Sequence, residues 1–206
     1  MDWSGNRNSV FRTLGASNHS EAEREEHDYY ATYPPAVEAL LVRENFNHRV
    51  WEPACGEGHI CKVLEKFGYE VSASDLINRG YGAGSVDFLS NEAVDFMLNK
   101  GKFNGDIITN PPYKFAQEFV IRALELVNTG SKVAMFLKTT FLEGGKRYIG
   151  LFSKYPPKEV YVFSQRIPCA KNGDFNRNEG KGKAVSYSWF VWEKGYTGKP
   201  NINWIY

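Results

Sequence analysis

Short apolar runs rich in β-forming residues alternate along the chain with longer stretches whose apolar residues recur at helical spacing. This alternation is typical of a parallel sheet with helices on both faces. The last two runs have no full helix between them, so we expect an antiparallel C-terminal hairpin in an otherwise mainly parallel sheet. The pattern therefore predicts an α/β fold with seven strands. The seven runs are HRVWEPA (48–54), YEVSASD (69–75), GSVDF (84–88), GDIITN (105–110), SKVAMFLK (131–138), EVYVFS (159–164) and AVSYSWFVWE (184–193).

Helical spacing of apolar residues predicts the elements between these strands. The first helix follows Pro34-Pro35, where a missing N–H is tolerated, and it places Val37, Leu40 and Leu41 on one face. Residues 1–28 lack such spacing and are predicted to form a flexible N-terminal arm. The predicted helices are AVEALLVREN (36–45), HICKVLEKFG (59–68), NEAVDFMLNK (91–100), KFAQEFVIRALELV (114–127) and a stretch near KRYIGLFSKY (146–155).

Length and composition indicate one domain, residues 29–206. The chain has 206 residues, 42% of them hydrophobic, and none of its apolar runs approaches the ~18–20 residues of a membrane span. The first ten residues lack the apolar stretch of a signal peptide, so we expect a cytoplasmic protein. Three cysteines without paired spacing argue against a disulfide framework and against a metal site.

Charge is unevenly distributed although the net charge is only +1. Residues 1–137 carry 13 Lys and Arg against 19 Asp and Glu, whereas residues 138–183 carry 10 against 4. A basic segment of this kind suits a polyanionic partner at one face of the molecule. Within it, residues 169–183 are rich in Gly, Asn and Lys and are predicted to form an exposed loop.

Two acidic positions and a glycine turn predict a nucleotide-type site. Gly56 and Gly58 follow the first sheet strand, where backbone N–H groups at a helix N-terminus can approach a ligand. Cys61 stands where the dinucleotide fingerprint needs its third glycine, which disfavours a nicotinamide enzyme. Asp75, at the end of the second strand, can accept from both hydroxyls of a ribose. Asp87-Phe88 can add a carboxylate for an adenine amino group and a ring to pack on the base.

The strongest motif is Asn110-Pro111-Pro112-Tyr113, directly after the strand GDIIT. An amino group conjugated to a ring is a poor nucleophile because its lone pair is delocalised. The Asn110 side-chain oxygen and the Pro111 carbonyl can accept both amino hydrogens and direct the lone pair at an electrophile. The prolines hold the backbone rigid, and Tyr113 offers a flat face on which a base can stack.

These motifs, in this order, resemble the S-adenosylmethionine-dependent methyltransferases that act on amino groups. The segment DYYATYPP (28–35) resembles the extra N-terminal motif of DNA adenine methyltransferases, with Tyr33 as a departure from its shorter common form. The segments KTTFLEGGKRYIGLF (138–152), FSQRIPCA (163–170) and YSWFVW (187–192) resemble small phage and prophage adenine-specific DNA methyltransferases. The resemblance covers residues 28–206 and implies a Rossmann-like class I methyltransferase fold.

The resemblance also implies a reaction and a set of site residues. The reaction is direct transfer of the methyl group of S-adenosylmethionine to the 6-amino group of adenine in double-stranded DNA, after the base has been flipped out, with no metal. The implied catalytic residues are Asn110, Pro111, Pro112 and Tyr113. The implied cofactor-binding residues are Tyr30, Thr32, Glu52, Ala54, Gly56, Gly58, Asp75, Leu76, Asp87 and Phe88. Phosphate contacts are expected from the basic residues Lys146, Arg147, Arg166, Lys171, Arg177, Lys181 and Lys183.

Several alternatives stay open at this point. The same four-residue motif serves enzymes that methylate amino groups of RNA bases or the glutamine amide of proteins. A methyltransferase-like subunit that binds DNA without turnover is another interpretation, which the intact glycine turn disfavours. Larger members of the resembled family carry a separate target-recognition domain, and we expect none in these 206 residues. Sequence specificity is then either low or comes from the loops 139–150 and 169–183, the N-terminal arm, or the second protomer of a homodimer.

Overall fold

A computed structural model describes residues 30–99, 101–171 and 185–206, and nine strands lie within them. In chain order the strands are β1 (Tyr30–Thr32), β2 (Arg49–Glu52), β3 (Glu70–Ala73), β4 (Asp106–Thr109), β5 (Lys132–Lys138), β6 (Glu159–Phe163), β7 (Cys169–Lys171), β8 (Tyr187–Glu193) and β9 (Asn201–Ile205). The helices are α1 (Pro34–Leu41), α2 (His59–Lys66), α3 (Asn91–Leu98), α4 (Ala116–Leu126) and the single turn α5 (Gly145–Arg147). Two 3₁₀ turns, Tyr113–Phe115 and Thr139–Leu142, and a π-helical stretch, Tyr148–Phe152, complete the elements.

Seven strands form one sheet in the order β3-β2-β4-β5-β8-β6-β9. The strands β3, β2, β4 and β5 run parallel, β8 runs antiparallel to both of its neighbours, and β9 is parallel to β6. A separate two-stranded ribbon pairs β1 with β7 antiparallel. The predicted α/β fold, with a seven-stranded mainly parallel sheet and an antiparallel C-terminal pair, is therefore confirmed.

The identity of two strands differs from the sequence prediction. The run GSVDF is not a strand, and only an isolated bridge between Ser74 and Ala83 forms near it. Positive φ angles of 67° at Gly82 and 61° at Ser85 interrupt the extended backbone there. The seventh strand is instead β9, a run that was not predicted from the sequence. The predicted loop 169–183 is also wrong at its start, because its first three residues form β7; the arm 1–28 lies outside the described residues.

Both faces of the sheet are packed, as expected for a parallel sheet between helices. Met135 of β5 pairs with Phe190 of β8 on one face, and Phe136 pairs with Trp189 on the other. All four side chains are fully buried. The YSWFVW run therefore builds the core. Trp189 Nε1 also donates to the Ala36 carbonyl at 2.7 Å, which fastens α1 to the sheet.

The predicted helix near residues 146–155 is a single α-helical turn that continues into the π-helical stretch. Gly150 lies inside this stretch, and a Cβ built on it would come 2.7 Å from Gln117 Nε2 on α4. The glycine thus allows the segment to pack closely on α4. In the part of the chain that the structure describes, none of the helices is long and apolar enough to span a membrane.

Candidate active site

The predicted glycine turn connects the carboxyl end of β2 to α2. Gly56 and Gly58 have φ angles of 54° and 78°, in the left-handed region that favours glycine. A Cβ on Gly58 would lie 2.6 Å from the ring of Tyr81. Both the backbone conformation and the close approach of Tyr81 therefore require a residue without a side chain at position 58.

Asp75 ties the end of β3 to this turn. Its Oδ2 accepts from the Gly56 N–H at 2.8 Å, and its Oδ1 accepts from the Ile77 N–H at 2.8 Å. Arg79 Nη1 lies 3.4 Å from Oδ1 in an ion pair that is mostly buried. The structure thus brings the predicted acidic residue and the predicted turn together. Arg79 was not predicted from the sequence, because residues 75–80 are not helical and an i, i+4 spacing brings side chains together only on a helix.

Glu52, the last residue of β2, is buried beneath the turn. Its Oε2 accepts from the Cys61 thiol, with an Sγ–O distance of 2.7 Å. Burial raises the pKa of the Glu52 carboxyl to about 8, and the nearby Asp75 charge acts in the same direction. Burial likewise raises the pKa of the Cys61 thiol. The carboxyl is therefore mainly protonated at neutral pH, and the thiol stays protonated.

The remaining predicted cofactor residues differ in how exposed they are and in what they contact. Leu76 is 56% exposed beside Asp75, where its side chain can cover a ligand. Asp87 is exposed, and its Oδ1 accepts from the Leu89 N–H at 2.9 Å. Phe88 is 2% exposed and packs against Trp51, with ring centroids 5.3 Å apart. Its ring therefore serves the core and presents no open face to a ligand. Ala54 is half-buried in the turn.

The Asn110 side chain lies at the carboxyl end of β4 and is partnered on one side only. Its Nδ2 donates to the main-chain carbonyl of Tyr30 at 2.8 Å. Its Oδ1 is buried and accepts no hydrogen bond from the described residues, and the same is true of the neighbouring Thr109 Oγ1. Buried acceptors are usually satisfied, so an orphan oxygen in a functional motif indicates a group that a ligand donor can meet.

Tyr113 begins the 3₁₀ turn that leads into α4, and aromatic and cationic groups surround its ring. The Tyr30 ring lies nearly parallel to it, with centroids 6.3 Å apart and an interplanar angle of 17°. The Tyr187 ring centroid is 6.1 Å away, and Lys138 Nζ lies 5.1 Å from the Tyr113 centroid. Neither Tyr187 nor Lys138 was assigned to the site from the sequence, because only the fold brings β8 and the end of β5 to Tyr113.

The register of the sheet brings the residues around the glycine turn close to those around Asn110. Trp51 of β2 is paired with Ile107 of the parallel β4, so the residues that follow both strands lie at one edge of the sheet. Thr32 on β1 is buried, and β1 contacts both α2 and Asn110. The glycine turn, Asp75, the Asn110 motif and β1 therefore surround a single region at the carboxyl edge, where open α/β sheets bind ligands.

Comparisons with known proteins agree with this architecture. No family model matches the chain, and no curated protein matches it. Among solved structures, a protein from Listeria monocytogenes assigned to the class I S-adenosylmethionine-dependent methyltransferases superposes with a TM-score of 0.56 at 11% identity, covering 96% of this chain and 69% of that chain. This likeness decides the fold. The chain adopts the class I methyltransferase fold.

Two further solved structures share this methyltransferase fold. The M protein of the type I restriction enzyme EcoKI matches with a TM-score of 0.55 at 14% identity, over 82% of this chain and 44% of that chain. A protein from Pyrococcus horikoshii assigned as an RNA methyltransferase matches with a TM-score of 0.52 at 16% identity, over 90% of this chain and 98% of that chain. At these identities the likeness concerns the fold.

The basic residues predicted to contact phosphates differ in their surroundings. Lys146 on α5 and Arg166 after β6 are exposed. Arg147 is half-buried: its Nη1 donates to the Phe141 carbonyl at 2.7 Å, and its guanidinium lies 4.1 Å from the centroid of the Phe141 ring. Burial lowers the pKa of this guanidinium. Lys171 belongs to β7, whereas Arg177, Lys181 and Lys183 lie outside the described residues.

Proposed function

We propose that this protein transfers a methyl group from S-adenosylmethionine to the exocyclic 6-amino group of adenine in DNA. The observation that carries the proposal is the buried, unpartnered Asn110 Oδ1 at the carboxyl edge of a methyltransferase-fold sheet. A planar amino group supplies two N–H donors, and the Asn110 oxygen and the Pro111 carbonyl can accept one each. Accepting both hydrogens turns the nitrogen lone pair toward the electrophile.

The residues around the glycine turn fit the cofactor. The turn leaves no room for a side chain at Gly58, Asp75 holds a carboxylate against it, and Leu76 stands exposed beside it. S-adenosylmethionine would supply the methyl group as a sulfonium: an N–C bond would replace the C–S bond, sulfur would leave as a neutral thioether, and the proton lost by the amino nitrogen would pass to water. The residues that would hold it are Tyr30, Thr32, Glu52, Ala54, Gly56, Gly58, Asp75, Leu76 and Asp87, with Phe88 supporting them from the core.

The chain's own residues bind and orient the target base. Tyr113 offers its ring for stacking, a contact worth about 1–3 kcal/mol per base, and Pro111 and Pro112 fix the backbone that carries it. Flipping the base out of a duplex costs a few kcal/mol, which these contacts offset. Lys138, whose Nζ lies 5.1 Å from the centroid of the Tyr113 ring, adds a positive charge beside the stacking ring.

Two features favour DNA as the acceptor. The segment 28–35 resembles the N-terminal motif of DNA adenine methyltransferases, and its β1 portion contacts Asn110. The second feature is the basic character of residues 138–183. We assign phosphate contacts to Lys146 and Arg166, which are exposed, and to Lys171, Arg177, Lys181 and Lys183. Arg147 is given a different role, because its guanidinium holds the Phe141 carbonyl.

The test is methyl transfer from labelled S-adenosylmethionine to unmethylated duplex DNA, with single-stranded DNA, RNA and a protein lysate as parallel acceptors. Nucleoside analysis should recover N6-methyladenine from DNA, and the matched Asn110→Ala variant should form it about 10²–10³-fold more slowly. Label found only in RNA or in protein would keep the transfer reaction and overturn the DNA assignment. Donor binding without transfer to any acceptor would indicate a DNA-binding subunit without turnover.

A further inference from the structure

We propose that Tyr30 is a positioning residue whose main-chain carbonyl fixes the orientation of the Asn110 amide. The inference rests on the proposed function, because it concerns which atom of Asn110 faces the target amine. An asparagine amide has two orientations of nearly equal shape, one presenting an oxygen acceptor and the other an N–H donor. Only the acceptor orientation can bind the hydrogens of an amino group.

The hydrogen bond between Asn110 Nδ2 and the Tyr30 carbonyl, 2.8 Å long, separates these two orientations. Rotating the amide by 180° would place Oδ1 against the carbonyl oxygen, so two acceptors would meet without a hydrogen between them. It would also point Nδ2 at the target amine, so two donors would meet there. The carbonyl therefore disfavours the unproductive orientation at both ends of the amide.

The carbonyl is itself held in place by the β1–β7 ribbon. Tyr30, Ala31 and Thr32 pair with Lys171, Ala170 and Cys169, respectively. Ala31 and Thr32 are each 2% exposed, so the strand is anchored on its buried side. The Tyr30 ring adds a near-parallel contact with Tyr113. A three-residue strand 80 positions away in sequence thus sets the orientation of the amide and also lies against the stacking ring.

The Asn110→Asp variant tests whether activity depends on the hydrogen bond to the Tyr30 carbonyl or only on the strength of the acceptor at position 110. The carboxylate keeps an acceptor for the amine, and a charged one accepts more strongly than an amide. It has no hydrogen for the Tyr30 carbonyl, so at pH 8 it faces that carbonyl as a second acceptor. Protonation at lower pH restores the donor while the other oxygen still accepts.

The expected result is a change in the pH profile. At pH 8 the kcat of Asn110→Asp should fall about tenfold or more below that of the wild type, and the ratio of the two should recover as pH is lowered toward 5. The ratio is used because other ionisable groups face this region in both proteins: Glu52, Asp75, Tyr30, Tyr113 and Lys138. The KM for S-adenosylmethionine should not change, since Asn110 serves the acceptor.

Asn128→Asp is the matched control, because it adds the same charge at an exposed loop between α4 and β5, at the opposite edge of the sheet. It should leave the profile unchanged. Equal or higher kcat for Asn110→Asp at every pH would overturn the positioning role, and so would an equal loss at every pH. Absence of transfer by the wild type is a different result, which would overturn the proposed function instead.

Discussion

Buried polar groups lie at both ends of the central strands, and they are partnered differently. At the amino end, the Asp106 carboxylate accepts from the Asn47 N–H at 2.6 Å, from Asn47 Nδ2 at 2.7 Å and from the Lys132 N–H at 2.7 Å. Next to it, Glu44 accepts from the Tyr161 hydroxyl and from Lys132 Nζ, both at 2.6 Å. At the carboxyl end, Asn110 Oδ1 and Thr109 Oγ1 accept nothing from the residues that the structure describes.

The difference separates a cluster built for stability from one built for a ligand. An unmet buried acceptor costs about 1–3 kcal/mol, so the carboxyl end stores a cost that a bound donor removes. The amino end has no such cost at Asp106. Substitutions at the two ends should therefore affect different observables.

Asn110→Ala should produce the largest effect, and on kcat. Removing the acceptor leaves the target amine without orientation, so kcat should fall about 10²–10³-fold, the loss measured for one electrostatic donor or acceptor in other active sites. Single-turnover transfer measures the rate, and calorimetry measures S-adenosylmethionine affinity, which should stay nearly constant. A large loss of donor binding would contradict the assignment of Asn110 to the acceptor.

Asp106→Ala should affect stability instead. It strips acceptors from two main-chain N–H groups and the Asn47 amide, so the free energy of unfolding should drop by about 3 kcal/mol. Urea unfolding measures this drop, while kcat measured well below the unfolding transition should be close to that of the wild type. Unchanged stability would mean that the amino-end cluster is not the stabilising one.

Glu52→Gln tests whether burial of a carboxyl at the carboxyl end costs stability. The pKa of Glu52 is about 8 in the folded protein against an ordinary 4.5, so the folded state keeps a proton that the unfolded chain releases. Its contribution to the free energy of unfolding is full below pH 4.5 and is lost as pH rises to about 8. The melting temperature of the wild type should decline across this range more than that of Glu52→Gln. Glu92→Gln, at an exposed position, should follow the wild type.

Lys146→Ala should have the smallest effect, because Lys146 is exposed on α5, which follows the carboxyl end of β5 in the chain. We expect a weaker affinity for duplex DNA of a few-fold, with a salt dependence reduced by about one counterion. Arg147→Ala should instead lower stability, since Arg147 holds the Phe141 carbonyl. Fluorescence anisotropy at several salt concentrations measures the DNA affinity of both variants, and urea unfolding measures their stability. An equal loss of DNA affinity in both variants would contradict the different roles assigned to Lys146 and Arg147.

The sequence predicted the features that depend on patterns of nearby residues. Apolar periodicity locates β2, β4, β5 and β8, and motif spacing alone places Asp75 beside Gly56. The β1–β7 ribbon was not predictable, because three-residue strands have no measurable periodicity and their partners lie about 140 positions apart. The strand β9 was missed because it is short and its alternating apolar residues, Ile202 and Trp204, are exposed, so no buried face marks it as a sheet strand; its pairing with β6 defines it.

Side-chain packing explains the remaining differences at the site. Phe88 follows Asp87 in sequence as a base-stacking ring would, yet its packing against Trp51 and Phe119 places it in the core. Arg147 looks like any other basic residue of its segment, and only its bond to the Phe141 carbonyl distinguishes it from Lys146. Spacing in sequence defines which residues are near each other, whereas their burial depends on neighbours that are distant in sequence.

The position of β8 has a consequence for biosynthesis. It consists of residues 187–193 and lies between β5 and β6. Its pairing with β5 extends over seven residue pairs, from Lys132 opposite Glu193 to Lys138 opposite Tyr187. Until those residues leave the ribosome, β5 presents an open edge and β6 has no link to the parallel strands. Such long-range pairing slows folding and exposes strand edges to other chains. The centre of the sheet is therefore completed only after residues 187–193 have been synthesised. Chains released from ribosomes that stall before Tyr187 should be prone to aggregation.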